Sequence, residues 1–174
     1  MSQDLNLSTS SHALDEETAR AEVYGLLSQL YYQAPSAELL GQLQVAVTEA
    51  PDAGGFLEEP WRELVSSARS LSQSQIASEF TSLFGGVGKP EVYLFGSHYL
   101  SGFLNEKPLV RLRDDLADLG LARSEDMFET EDHVAYVFEV MRFLIAGDDV
   151  AVSNLTRQQA FFTQHVQSWL PAMC

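Results

Sequence analysis

Residues 129–147, ETEDHVAYVFEVMRFLIAG, form the most apolar helical segment of the chain. Apolar side chains recur there at helical spacing and cover most of the helix circumference. A helix that is apolar on most sides lies at the centre of its bundle. Thr130 is the predicted N-cap, and the helix is predicted to end at Gly147. One apolar face consists of Val134, Val137, Phe138, Met141, Leu144 and Ile145, and a second consists of Tyr136, Val140 and Phe143.

Helical periodicity also dominates the rest of the chain. Asp15 is the predicted N-cap of the first helix, Ser36 caps the second, and the last helix runs from about Asp149 to Leu170. No segment shows a convincing strand alternation, and no internal repeat is present. The sequence therefore predicts an all-α, single-domain helical bundle of about eight or nine helices, with a Gly-rich hinge near residues 85–90.

The predicted domain organisation follows from these breaks. Residues 1–14 are polar and Ser-rich, which is typical of a disordered N-terminal tail. Residues 15–174 form the helical domain. Within it we expect an N-terminal helix set at 15–84, a hinge at 85–97 and a C-terminal helix set at 98–174.

The composition restricts the kinds of partner. The 174 residues include 25 acids and 10 Lys+Arg, for a formal net charge of −15. Such a surface repels nucleic acid and anionic lipid and attracts basic partners, although the same charge also serves solubility. No secretory signal, no membrane span and one cysteine, Cys174, are found, so we expect a soluble cytoplasmic protein without an internal disulfide.

Familiar catalytic and metal motifs are missing from the sequence. The loop at 85–90 lacks the glycine and the Ser or Thr that a phosphate-binding P-loop requires, and is interpreted as a hinge. Gly96-Ser97-His98 lacks the second glycine of a nucleophile elbow. Asp132 and His133 point about 100° apart on a helix, so they do not form a ready dyad. The sequence predicts no enzyme, no metal site and no cofactor.

Two short segments carry the functional signal. Residues 94–99, LFGSHY, resemble the Pro-Tyr-x-Ser-x-Tyr motif of the TorD/DmsD family of cytoplasmic chaperones for molybdenum enzymes. Residues 129–133, ETEDH, are similar to its Glu-Pro-x-Asp-His motif. Weaker likenesses lie in order at 24–31, 79–84 and 162–169. Leu94 and Phe95 stand where the family has proline and tyrosine, so any role of that phenol is lost here.

The resemblance implies a chaperone that binds the twin-arginine signal peptide or the apo-form of a molybdenum-containing oxidoreductase. It would assist cofactor insertion, maturation and export of that client, which would be a formate dehydrogenase or a DMSO/TMAO reductase-type enzyme. We expect no contact with nucleic acid and no membrane insertion. A monomer and a homodimer both remain open, and the Gly-rich hinge would permit domain swapping.

The residue types support that interpretation. A twin-arginine leader offers two guanidinium groups and an apolar stretch, so its receptor needs carboxylates and an aromatic groove. His133 is expected to donate a hydrogen bond to a peptide carbonyl or to sense pH. The predicted client-binding residues are Tyr93, Phe95, Ser97, His98, Tyr99, Glu129, Glu131, Asp132, His133 and Tyr136.

Each of these residues also has a simpler interpretation. The aromatics suit core packing, and Asp132 and His133 suit helix capping. Two further hypotheses remain open at this point. One is a small all-α hydrolase that uses Ser97, Asp132 and His133. The other is a generic acidic helical adaptor whose partner is not a molybdenum enzyme.

Overall fold

The computed structural model describes residues 5–48, 57–85, 88–104, 107–124 and 126–174, with side chains from residue 16 onward. These residues form nine α-helices and one π-helical segment, and no β-strand occurs among them. The all-α prediction is confirmed, as is the expected number of helices. The helices are α1 (Leu5–Tyr32), α2 (Ala37–Val45), α3 (Glu58–Ser70), α4 (Gln73–Phe84), α5 (Gly96–Ser101), α6 (Lys107–Asp118), α7 (Val134–Ala146), α8 (Leu155–Phe161) and α9 (Leu170–Met173), and the π-helical segment is Phe162–Val166.

Helix α7 is the most buried element of the fold. Seven of its 13 residues are buried, and its main partner is α1, from which Tyr24 and Tyr31 place their rings 5.8 and 6.0 Å from that of Phe138. Its N-cap is His133, not Thr130, so the predicted start was wrong by three residues. The Thr130 hydroxyl donates instead to the Asp132 carboxylate, and residues 132–134 bond to another segment of the chain.

Helix α1 is longer than the sequence suggested. It begins at Leu5 and continues through Asp15, so Asp15 is no N-cap and the helix includes residues 5–14 of the predicted tail. No proline or glycine precedes Gly25, so nothing in the sequence interrupts a helix there. Residues 1–4 of the predicted tail lie outside the described residues.

The contacts divide the chain into two compact units. One contains Met1–Tyr32 together with Tyr93–Cys174, and the other contains Gln33–Val92. Helix α1 therefore packs with the C-terminal helices, whereas the sequence grouped it with the N-terminal set. The proposed hinge at 85–90 contains residues 86 and 87, which the structure leaves undescribed.

The unit formed by Gln33–Val92 contains α2, α3 and α4. Ser36 caps α2 as predicted, because its hydroxyl accepts the Leu39 N–H at 3.1 Å. Arg69 of α3 donates to the carbonyls of Gln44 and Ala46 at 2.9 and 2.8 Å, which satisfies the free carbonyl groups at the end of α2. The unit is thus held by helix capping as well as by a small apolar core.

The C-terminal end differs from the single helix predicted there. Helix α8 starts after Asn154, whose side chain accepts the Arg157 N–H, and it passes into the π-helical segment 162–166. The Trp169 indole donates to the His165 carbonyl at 2.6 Å and closes that segment. None of the helices in the described ranges has both the length and the apolar character that a bilayer span requires.

Candidate functional site

The two segments that carry the family signal lie side by side. Phe95 and His133 form an isolated antiparallel β-bridge. The Val134 N–H donates to the Leu94 carbonyl at 2.8 Å, and the Gly96 N–H donates to the Asp132 carbonyl at 3.0 Å. The start of α5 and the start of α7 are therefore joined by backbone hydrogen bonds, although they are distant in sequence.

Asp132 lies inside this junction. Only 4% of its surface is exposed, and both carboxylate oxygens accept hydrogen bonds. Oδ2 accepts the backbone N–H of Ser97 at 2.9 Å, and Oδ1 accepts the Thr130 hydroxyl at 2.6 Å. A buried carboxylate with two donors is well satisfied. Its predicted contact with a client cation stays a prediction, but the structure already gives the carboxylate a second task.

His133 lies buried beside Asp132 and caps α7. Its Nδ1 accepts the Ala135 N–H at 3.3 Å, so the neutral ring carries its proton on Nε2. Burial lowers the pKa of His133 to about 4, although the Asp132 charge acts in the opposite direction. A ring with that pKa stays neutral between pH 5 and 8, which does not support the predicted pH-sensing role. Donation from Nε2 to a peptide carbonyl remains compatible with the geometry.

An aromatic cluster surrounds the His133 ring. Its centroid lies 5.1 Å from that of Phe95, 5.6 Å from that of Tyr136 and 6.4 Å from that of Tyr32. The Tyr32 and Tyr136 rings are 5.7 Å apart. Burial, followed by the neighbouring Tyr32 phenol, raises the pKa of Tyr136 to about 12, so the Tyr136 phenol is neutral at physiological pH. Tyr32 is 41% exposed and is the most accessible ring of the cluster, since Phe95 and Tyr136 are only partly exposed.

Sequence reasoning missed Tyr32. The residue ends α1, whereas its neighbours in the cluster, Phe95, His133 and Tyr136, all come from the part of the chain after residue 92. The Tyr31 ring contacts Phe138, whereas the ring of the adjacent Tyr32 contacts His133 and Tyr136. The sequence offered one indication of its position. Tyr32 follows Tyr31 shortly before Pro35, and a helix has to end before that proline, so Tyr32 lies at a helix terminus.

The three acidic residues of the second motif occupy different environments. Glu131 accepts two hydrogen bonds from the guanidinium of Arg113, at 3.0 and 2.8 Å. Burial alone would raise the pKa of Glu131, but the bonds from Arg113 lower it. Glu129 is exposed, and within the described part of the chain its carboxylate has no hydrogen-bond or ion-pair partner. Of the three acidic side chains in the motif, Glu129 is therefore the one whose carboxylate is available to a ligand.

A second aromatic group surrounds α5 and includes the predicted residues Tyr93, His98 and Tyr99. Tyr93 stacks on His98 with centroids 3.8 Å apart, and His98 meets Tyr99 edge-on at 5.1 Å. The Tyr99 ring stacks on Trp169 at 5.8 Å, while its hydroxyl donates to the Tyr93 carbonyl at 2.9 Å. Tyr99 is therefore tied to the C-terminal segment, and its contacts are those of a packing residue.

The arrangement contains no catalytic hydrogen-bond relay. The Ser97 hydroxyl is buried and makes no hydrogen bond to His133 or to another described group. The Asp132 carboxylate contacts a backbone amide and a hydroxyl, and not the imidazole. Nucleophilic catalysis needs a Ser–base–orienter chain, so the geometry does not support the hydrolase hypothesis. Among the residues that the structure describes, no group of three His, Cys, Asp or Glu side chains is placed to hold a metal ion.

Comparisons with known proteins identify the family. The model of the nitrate reductase delta subunit family matches residues 51–174. Chaperone protein TorD of Vibrio cholerae serotype O1 is 27% identical over 169 residues, which covers 88% of this chain and 77% of the relative. The TorD chaperone of Vibrio parahaemolyticus is 26% identical, with coverages of 87% and 79%. The chain therefore belongs to the nitrate reductase delta subunit family, and its predicted relationship to the TorD/DmsD chaperones is confirmed.

Proposed function

We propose that this protein is a cytoplasmic chaperone that binds the twin-arginine signal peptide of a molybdenum-containing oxidoreductase and delays export until the cofactor is inserted. As a member of its family, it is a chaperone of molybdoenzyme maturation and not an enzyme.

One observation carries the proposal. The β-bridge between Phe95 and His133 brings the first motif and the acidic second motif to one place on the unit that contains both. At that place the exposed part of Tyr32 adjoins the Tyr136 ring, and the uncommitted Glu129 carboxylate lies close enough for its charge to act on Tyr136. Aromatic faces next to a free carboxylate match the chemistry of a guanidinium group.

Charge on the whole chain supports the same kind of ligand. The net charge of −15 attracts a basic peptide and accelerates its encounter with the protein. Long-range attraction does not by itself separate arginine from lysine. That discrimination requires planar stacking and bidentate hydrogen bonds, which an ammonium group cannot reproduce. Local geometry at the aromatic cluster therefore has to supply the specificity.

The direct test is calorimetric titration of the full chain with a twin-arginine leader peptide and with its Lys-Lys variant. We expect the arginine peptide to bind at least about tenfold more tightly, because each bidentate or stacked contact contributes on the order of 1.4 kcal/mol or more. Equal affinities for both peptides would contradict arginine recognition and favour the acidic-adaptor hypothesis. A scrambled leader with the same charge is the matched control.

A further inference from the structure

Asp132 and Glu129 belong to the same short motif but differ in what their carboxylates contact. Asp132 is 4% exposed and accepts hydrogen bonds on both oxygens, one of them from a residue 35 positions away. Glu129 is exposed and its carboxylate has no partner in the described ranges. Because one carboxylate is buried and hydrogen-bonded and the other is exposed, we assign the two residues different roles in client binding.

We propose that Asp132 is a positioning residue that fastens α5 to the start of α7, and that Glu129 is the carboxylate that meets a cationic side chain of the client. This inference rests on the proposed function and assigns its acidic residues. The chemical class of the bound group is a guanidinium.

The positioning role follows from the bonds around Asp132. Its side chain accepts the Ser97 N–H while its own carbonyl accepts the Gly96 N–H, so one residue holds two successive amides of the first turn of α5. The Thr130 hydroxyl holds the other carboxylate oxygen in place. Because Asp132 is 4% exposed, a guanidinium could reach its carboxylate only by opening this junction, which would leave buried groups unpaired at a cost. The same bonds set the position of Phe95 against His133.

The recognition role follows from what surrounds Glu129. Arg113 already neutralises Glu131, so that carboxylate is occupied. Arg123 donates to the backbone carbonyl of Glu129 at 3.4 Å, and the described residues show no hydrogen bond or ion pair between the Arg123 guanidinium and the Glu129 carboxylate. The Glu129 charge and backbone both act on the Tyr136 phenol, and the Tyr136 ring lies 5.7 Å from that of Tyr32. These rings offer faces on which a guanidinium can stack while Glu129 accepts its hydrogen bonds.

Isosteric substitution separates the two roles. In Asp132→Asn, the amide oxygen can still accept the Ser97 N–H and the amide nitrogen can donate to the Thr130 hydroxyl, so the junction survives without the charge. We expect Asp132→Asn to bind a twin-arginine peptide within about threefold of the wild type. Asp132→Ala, which removes both acceptors, is expected to lose at least about tenfold, and Glu129→Gln is expected to lose about tenfold.

Controls separate charge from folding. Asp126→Asn removes one exposed charge from the same loop and is expected to leave affinity nearly unchanged. Should Asp132→Ala fail to fold, Thr130→Val removes only the Oδ1 bond; a positioning role predicts a loss of a few-fold, while direct contact predicts no loss. Urea midpoints are measured for every variant.

An Asp132→Asn protein that folds but binds as poorly as Asp132→Ala would overturn the positioning role, and an unaffected Glu129→Gln would overturn the recognition role.

The two proposals fail in distinguishable ways. A wild-type chain that binds no twin-arginine peptide removes the proposed function, and the role of Glu129 with it. The positioning role of Asp132 is then read from hydrogen exchange at the Ser97 amide. Protection retained in Asp132→Asn and lost in Asp132→Ala supports that role, and protection unchanged in both variants refutes it.

Discussion

His133 shows how the surroundings of a single side chain decide its chemistry. An exposed histidine next to a carboxylate would titrate near neutrality and could respond to pH. Here the ring is enclosed by Phe95, Tyr32 and Tyr136, and the loss of water outweighs the attraction of Asp132, so its pKa falls to about 4. The sequence showed that the two residues are adjacent, but not that the ring is buried.

Burial of a neutral His133 makes stability depend on pH. The unfolded chain binds a proton on this ring below about pH 6.5, whereas the folded chain does so only below about 4. Between these values the unfolded state holds more protons, so the free energy of unfolding falls as the pH decreases. His133 alone should lower it by about 2 kcal/mol from pH 7.5 to pH 5. Urea unfolding at both pH values measures the change.

The matched variant for this prediction is His133→Asn. Asparagine caps helices well and does not titrate. The Tyr136 phenol stays neutral in this pH range, and Asp132 remains in both proteins. The variant should be less stable at both pH values because it loses ring contacts, but its stability should change less between them. An identical pH dependence in the two proteins would show that the ring is not the group responsible.

Helix α5 shows how one element is held from two sides. Its first turn is bound to Asp132, and Gly96 lies against the indole of Trp169 from the C-terminal segment. The π-helical segment 162–166 precedes Trp169, and the indole N–H donates to the His165 carbonyl of that segment. The sequence of the two motifs does not predict the contact between Gly96 and Trp169, because these residues are far apart along the chain.

Gly96→Ala tests the contact between α5 and Trp169. The added Cβ would lie 3.0 Å from two indole atoms, and the indole is 3% exposed and hydrogen-bonded, so it has little room to move. We expect a loss of about 1–3 kcal/mol in the free energy of unfolding, measured with urea.

Gly41→Ala provides the control for that substitution. Gly41 lies in the interior of α2, and an added Cβ would meet nothing within 4 Å. Alanine is the better helix former, so this variant should gain up to about 1 kcal/mol. Equal effects of the two substitutions would mean that Trp169 does not restrict α5.

The whole molecule is organised by the packing of α1 along α7. Both helices contribute to the unit made from Met1–Tyr32 and Tyr93–Cys174, and this packing also carries Tyr32 to the aromatic cluster around His133. A chain divided only at its glycine-rich loop would have left α1 with α2, α3 and α4. The pairing of helices depends on which apolar faces match, which a single sequence does not encode locally.

Phe138→Ala tests that packing. The Phe138 ring is 3% exposed and contacts Tyr24 and Tyr31 of α1, so truncation leaves a cavity between α1 and α7. We expect a loss of about 3–5 kcal/mol, measured by urea unfolding. Phe128→Ala is the matched control, because Phe128 is 89% exposed and should change stability by less than about 0.5 kcal/mol. A small effect of Phe138→Ala would mean that α1 and α7 are not joined through this core.

The sequence by itself determined the helical class, the apolar helix at the centre, the family and the two motifs, because periodicity and residue type are local properties. It did not determine the start of α7, the partner of α1, the role of Tyr32 or the different surroundings of Glu129, Glu131 and Asp132. Those depend on burial and on hydrogen bonds between distant segments, as between Ser97 and Asp132. Only the tertiary structure decided which carboxylates already accept hydrogen bonds from other groups of the protein, since the donors come from segments that folding brings together.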